Sequence, residues 1–496
     1  MSDPTARARR WPRRLGLATA VLLGTLGALL VPDPDPEVEA TAGRRPFVWD
    51  EDARWAALEA RFAAVRAGGC AAVRPEVDAG FASLDAGLDT LSATPRPPGH
   101  PDFEAVEASL FTLGPLVGAC PARTTDFVER FARLRSIVKD QSLPWDASSQ
   151  AARDQVYRLL YGGRMAVEEL LLQLPEGSAE ALTPGTDEPS QTPSTELLGV
   201  RVHSGDMLVS RGGAPTSAFI ARGNDYPGNF SHVALLHVDD SGGASIIESH
   251  IEEGVVVSSM DDYLEDKKLR VMVLRLRADL PELRADPGLP HRAATDALEQ
   301  ARERHIPYDF EMDYGDHRTQ FCSEVASAAY EPQGVRLWEG LTSMSSSGVT
   351  RWLAAFGVRQ FETHGPSDLE YDPKVRVVAE WRDPETLYQD HVDNAVLDAM
   401  LEGAEQGDEL AHDWRMLPLA RLAKGWSVIL NLFGGVGPVP EGMSATVALR
   451  AEALGERHGT IKAQTLRAAA ALAAERGYRP PYWELVRLAR EASRAR

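Results

Sequence analysis

The first question the sequence raises is whether it carries a thiol positioned for chemistry. Cys322 stands in RTQFCSEVASAAYE, Arg318 to Glu331, ahead of Val325, Ala326, Ala329 and Tyr330, which are spaced as the core face of a helix. That spacing predicts a helix whose first turn holds Cys322 on its apolar side, where the helix end carries partial positive charge and favours thiolate. A nucleophile also needs a base, and the base needs an orienting partner. In GNFSHVALLHV, His232 opens an apolar strand directly after a polar loop, while His237, five residues on, faces the other side. The following run, ASIIESH, presents Glu248, a carboxylate able to hold the second nitrogen of an imidazole. In neighbouring antiparallel strands His232 and Glu248 come together. The chemistry would be acyl transfer: a thiolate attacks a carbonyl, and an imidazole protonates the leaving group and then activates water. Taken singly, each residue has an ordinary reading: a small core hydrophobe, a half-buried strand histidine, a solvated strand acid. Spacing alone does not choose between these readings and the triad.

The elements that must position these residues read as an α+β unit. DMLVS, HVALLHV, SIIESH, GVVVSS and RVMVLRL are short apolar or alternating runs separated by Gly, Asp and Ser, and therefore strands. HRAATDALEQARER reads as a helix, then comes a loop rich in Tyr and Asp, then the Cys322 helix. Strands followed by helices imply an antiparallel sheet, ending near VRVVAEWRD. The organisation expected is an α+β domain over residues 197–383, preceded by a helical bundle at 45–174 and a linker at 175–196, and followed by a helical region at 384–496. The bundle shows Trp55, Leu58, Phe62 and Val65 on one helical face, and a later helix is expected to break at Gly162-Gly163. The linker, PEGSAEALTPGTDEPSQTPSTE, is rich in Pro, Ser, Thr and acid and lacks periodicity. In the tail, WSVILNLFGGVGPVP reads as a core hairpin in preference to a membrane-touching loop, and its GGVG lacks the Gly-Lys-Ser/Thr of a phosphate loop.

Whole-chain properties narrow the function classes. With 496 residues, several domains are expected. The net charge of −21 repels nucleic acid, so no nucleic-acid partner is expected. Residues 1–42 differ from the rest: RARRWPRR precedes the uncharged run Leu15 to Val31, the pattern of a signal anchor or a signal peptide. The run is long for a cleaved segment and short for a span, and the reading adopted is an uncleaved anchor that leaves the remainder outside the cytoplasm, in the cell envelope. In an oxidising compartment Cys70 and Cys120 could pair, leaving Cys322 as the free thiol. No cofactor pattern emerges. His305, His317 and Cys322 match no compact zinc spacing, and there is no H-E-x-x-H.

HSGDMLVSRG, FSHVALLHV, IIESHIEEGVVVSSMDDYL, IPYDFEMD and FCSEVASAAY, in that order, resemble the circularly permuted papain-like cysteine hydrolases of the NlpC superfamily, in their YaeF/YiiX branch. The matching positions are Gly205, Asp206, Ser231, His232, Glu248, Gly254, Val255, Tyr308, Asp309, Cys322, Ser323 and Glu324, within about 180 residues from Leu197 to Trp381. The resemblance implies a catalytic Cys322, His232 and Glu248 cleaving an amide bond in a peptide or a cell-wall peptide. It leaves Ser323 as a helix-start hydroxyl and Glu324 as an acid suited to the helix dipole. One departure bears on the third member: SHIEE follows Glu248, adding His250, Glu252 and Glu253 before the Gly-Val turn. Two other readings carry different partners, a lipid acyl hydrolase or acyltransferase on the same fold, and a non-catalytic envelope scaffold whose helical regions bind a protein.

Overall fold

The computed structural model describes residues 24, 27, 29–34 and 43–495, so most of the basic and apolar N-terminal run lies outside the described residues. Five helices open the body: α1 Asp52–Gly68, α2 Cys70–Ala93, α3 Pro101–Gly118, α4 Thr124–Ser142 and α5 Gln150–Leu172. Their inward faces form one apolar core, with Leu84, Leu88, Phe103, Phe127 and Leu160 fully buried. Cys70 and Cys120 are joined as a disulfide with Cα atoms 4.7 Å apart. The helix α5 does not break at Gly162-Gly163. A side chain at Gly163 would sit 2.5 Å from the ring of Phe131, and one at Gly162 2.8 Å from Trp49. The pair serves close ring packing within a continuous helix, so a breaker signal in the sequence was a packing signal in the fold.

The segment expected to be a structureless linker contributes strands. β1, Leu182–Pro184, pairs antiparallel with β11, Val375–Trp381, and β2, Ser194–Leu197, makes a ribbon with β3, Val200–His203. The remaining long strands are β4 Met207–Gly212, β5 His232–Val238, β6 Ala244–His250, β7 Gly254–Ser258 and β8 Lys268–Leu276. They form a seven-stranded sheet in the order β1-β11-β8-β4-β5-β6-β7, antiparallel at every pairing. α6, Pro215–Arg222, α7, Met260–Glu265, and α8, Pro281–Ala285, lie in its connections, while α9, Leu289–Glu303, and α10, Glu324–Tyr330, share a core with the sheet. A two-stranded ribbon of β9, Thr342–Ser343, and β10, Glu362–Thr363, flanks α11, Ser347–Ala355. The chain then turns helical in α12 Pro384–Glu405, α13 Leu417–Asn431, α14 Ala445–Arg476 and α15 Tyr482–Arg494. The fold is an α+β domain built on an antiparallel sheet and flanked by helices.

A buried charge network ties bundle, sheet and tail together. Glu168 of α5 receives Arg270 of β8 at 2.5 Å and His391 of α12 at 3.0 Å. Arg270 also reaches Asp390 of α12 at 2.6 Å, and Arg164 reaches Glu370 at 3.0 Å. All six of these side chains are fully or almost fully enclosed. Burial alone would neutralise Glu168, but the guanidinium of Arg270, then that of Arg164, and the His391 bond hold its carboxyl well below the usual range. The WSVILNLFGG piece of the tail is not a core hairpin: it is the second half of α13 and its tip, and its large apolar side chains face out. The inner face of α13 is occupied by Leu417, Ala420 and Ser427, and among the described residues the other side of this apolar sequence is exposed.

Candidate active site

The sheet brings the thiol, imidazole and carboxylate together through register. Ala234 of β5 lies opposite Glu248 of β6, and His232, two residues along, projects from the same face of the sheet as Ala234. His232 Nε2 lies 2.8 Å from Glu248 Oε2, and Cys322 is close enough to the imidazole to favour its charged form. With Nε2 held by the carboxylate, Nδ1 is the ring nitrogen left for the sulfur. The Cys322 Sγ also lies 3.7 Å from the carbonyl of Ser231, the residue before the histidine. Burial would lower the imidazole, but Cys322 and the bond to Glu248 outweigh it and raise the group to about 9. Burial would raise Glu248, but the bonds from His232 and His250 hold its carboxylate far below the ordinary range.

Cys322 itself is buried and unpaired. It does not occupy the first helical turn, as its periodicity implied. α10 begins at Glu324 and spans only seven residues, so Cys322 sits in the turn before it. So short a helix has little dipole to offer, and the charge that faces the thiol is that of His232. Ser323 is the residue ahead of the helix but its hydroxyl makes no capping bond. Glu324 is completely enclosed; its Oε2 accepts from the backbone N–H of Phe321 at 3.0 Å, and burial pushes its carboxyl up to about 7. It braces the turn that carries Cys322, a tighter role than that of an acid near a helix dipole.

The other motif positions hold the frame. Asp206 takes a bidentate grip from Arg275, at 2.8 Å on each oxygen, and accepts the backbone N–H of His203 at 2.7 Å. Gly254 has φ +78°, and a Cβ there would lie 2.1 Å from the carbonyl of Ile306, whose oxygen receives the N–H of Val255 at 2.8 Å. That contact fixes the loop carrying Tyr308 and Asp309. Asp309 organises the loop by accepting the N–H groups of Glu311 at 2.8 Å and Asp313 at 2.6 Å. Burial and the neighbouring Cys322 push the phenol of Tyr308 well above its usual value, which keeps it a neutral donor beside the thiol.

Two residues on Glu248 were given no role by sequence reasoning. Ser258 of β7 donates to Glu248 Oε1 at 2.6 Å, and His250 Nε2 lies 3.2 Å from Glu248 Oε2. The alternation of β6 could have found His250, since 248 and 250 share a face. Ser258 is visible only through the pairing of Glu248 with Val256. Among the described residues, the group of histidine and acid side chains close enough to share a cation is His232, Glu248 and His250, whose ligand atoms lie within 4.8 Å of one another. His305 is engaged with Glu441 at 2.8 Å and His317 lies 3.5 Å from both Glu324 and Glu331, away from any shared site with Cys322. His237 points away from the site and stacks on His291.

No curated protein and no solved structure matches the chain. Residues 201–379 match the family model of the permuted papain-like amidase enzymes, YaeF/YiiX, C92 family, an interval that contains every position of the cluster just described. Over that interval the sequence is similar to the permuted papain-like amidases, and the likeness is consistent with a cysteine hydrolase.

Proposed function

We propose that the chain hydrolyses an amide bond, in a peptide or a cell-wall peptide, through Cys322 as nucleophile, His232 as acid and base, and Glu248 as the group that orients and charges the imidazole. The observation that carries this reading is the 2.8 Å bond from His232 Nε2 to Glu248, with the other ring nitrogen left for Cys322. Attack by sulfur on the carbonyl forms the C–S bond. The proton on His232 then goes to the departing amine as the C–N bond breaks, leaving a thioester. Water, deprotonated by the now neutral imidazole, releases the acid and regenerates the thiolate. Backbone N–H groups at Cys322 and Ser323, with the neutral Tyr308 hydroxyl, are the donors assigned to the developing oxyanion.

The site of action is proposed to be outside the cytoplasm, at the cell envelope, with the N-terminal run as signal or membrane anchor. Support comes from the basic and apolar order of residues 1–42 and from the Cys70–Cys120 disulfide, a bond that persists in oxidising compartments. Among the described residues no helix is long and apolar enough to cross a membrane, and the run itself lies outside them.

The test is iodoacetamide labelling of Cys322 across pH, beside amine release from peptide and cell-wall peptide amides and from acyl esters. Cys322→Ala should abolish turnover, and His232→Ala should slow labelling at mildly acidic pH by about tenfold for each unit of lost pairing. Labelling that ignores His232→Ala would sink the dyad; turnover of esters alone would move the substrate to lipid acyl groups.

A further inference from the structure

Of the thirteen large apolar side chains exposed among the described residues, ten lie between Trp414 and Val436. The order within that stretch is regular. Leu419, Leu422, Trp426, Ile429 and Phe433 recur three and four residues apart, one outward stripe along α13 and onto its tip. Phe433 is 85% exposed and Leu432 78%, at the end of the helix where the chain turns through Gly434. The inner side of the helix is already in use. Leu417 packs on Ala445 and Leu449, and the Ser427 hydroxyl accepts the backbone N–H of Val439 at 2.9 Å. The stripe is therefore a second apolar face on a helix that is already docked.

Charge narrows what can cover it. From Trp414 to Pro438 there are three cations, Arg415, Arg421 and Lys424, and no acid, in a chain of net charge −21. A second copy would bring the same cations to the same place and repel. An apolar face with basic side chains and two tryptophans, Trp414 and Trp426, matches what lies in a membrane interface. Continuity with the N-terminus gives the independent observation. Arg421 donates to the carbonyl of Val31 and lies 3.5 Å from Asp33, and the Asp33 N–H donates to the Thr446 hydroxyl at 3.2 Å. The end of the uncharged Leu15 to Val31 run is thus tied to this helix.

We infer that the outward face of α13 and its tip dock on a lipid bilayer, with Phe433 and Leu432 inserted among the acyl chains. The face is also joined to the catalytic loops. Glu441, beyond the tip, donates its N–H to the Glu252 carbonyl at 3.2 Å and receives His305 at 2.8 Å, while Gly442 lies against Phe310, next to Asp309. A docked α13 holds the loops of Glu252 and Asp309 beside the membrane surface, whatever bond Cys322 attacks.

The test uses the full chain carrying Cys322→Ser, so that an added cysteine is the labelled thiol. An environment-sensitive dye is placed at Phe433→Cys or, as reference, at Leu143→Cys, and phosphatidylcholine vesicles with or without brominated acyl chains are added. The expected result is emission at 433 that shifts to the blue, rises severalfold with plain vesicles and is quenched by brominated ones, with no response at 143. Adding Leu422→Asp, an exposed position, should cut the response while leaving the melting temperature unchanged. Three outcomes overturn the inference: a dye at 433 that ignores vesicles, a dye already shielded without lipid, because the N-terminal run covers the face, or a shift that grows with protein concentration alone.

Discussion

Glu248→Gln is the substitution that separates a charge effect from a shape effect at the site. The side chain is 1% exposed, so glutamine fills the same volume and retains a hydrogen-bonding group, but it no longer faces His232 with a negative charge. In the native protein the imidazole is raised from 6.5 to about 9 against its burial. That rise of about 2.5 units corresponds to roughly 3.4 kcal/mol in favour of the charged form, shared between Cys322 and Glu248. A hydrogen bond to a charged partner contributes about 1.5–3 kcal/mol, so the glutamate's part is about one to two units. The sign follows directly. Because the folded value lies above 6.5, the imidazolium and the stability it brings are fully present below that pH and are lost as pH rises through about 9. In Glu248→Gln the alkaline limb of kcat/KM should move down by about one to two units, and turnover at pH 8 should fall about twofold for one unit and about tenfold for two. The assay is a pair of pH–rate profiles, with Glu253→Gln, an exposed acid nearby, as the control that leaves them unchanged. An alkaline limb that stays near 9 in Glu248→Gln would refute the argument that this carboxylate charges the histidine.

Three further outcomes follow from the packing. Gly254→Ala should cost at least about 2 kcal/mol, because φ +78° is strained for alanine and the new methyl meets the Ile306 carbonyl; a thermal melt that does not change would show that the loop can yield. Replacing Cys70 and Cys120 together by serine should lower stability by about 4 kcal/mol in the chain-entropy account of a 50-residue separation, read as a lower urea midpoint, whereas an unchanged midpoint would mean that the bundle's unfolded chain is already compact. Arg270→Met should cost about 3–5 kcal/mol by leaving Glu168 and Asp390 short of a cation inside the protein, and adding Glu168→Gln should recover part of it; a loss under about 1 kcal/mol would mean that the neighbouring arginines take over the pairing.

By itself the sequence determined what is local and periodic. Alternating and 3.6-residue patterns are imprinted by the solvent on each element separately, so the long strands of the sheet, most of the flanking helices and the motifs around His232, Glu248 and Cys322 were legible. Where one periodic signal had two physical causes, the sequence could not choose. Gly162-Gly163 reads as a helix break, yet the rings of Phe131 and Trp49 require the missing side chains. WSVILNLFGG reads as core because it is apolar, but whether an apolar face is covered depends on what else the chain brings to it. The segment after Pro175 lacks any pattern of its own and became an edge strand only because β11 offered it unpaired backbone groups. The site shows the same division. The residue types named the chemistry, whereas pairings decided the rest. The register of β5 on β6 put the carboxylate on His232, β7 placed Ser258 on its other oxygen, and the short α10 left the thiol facing an imidazole in place of a helix end. Register and docking are sums over contacts between residues far apart in the chain, and no window along the sequence contains them.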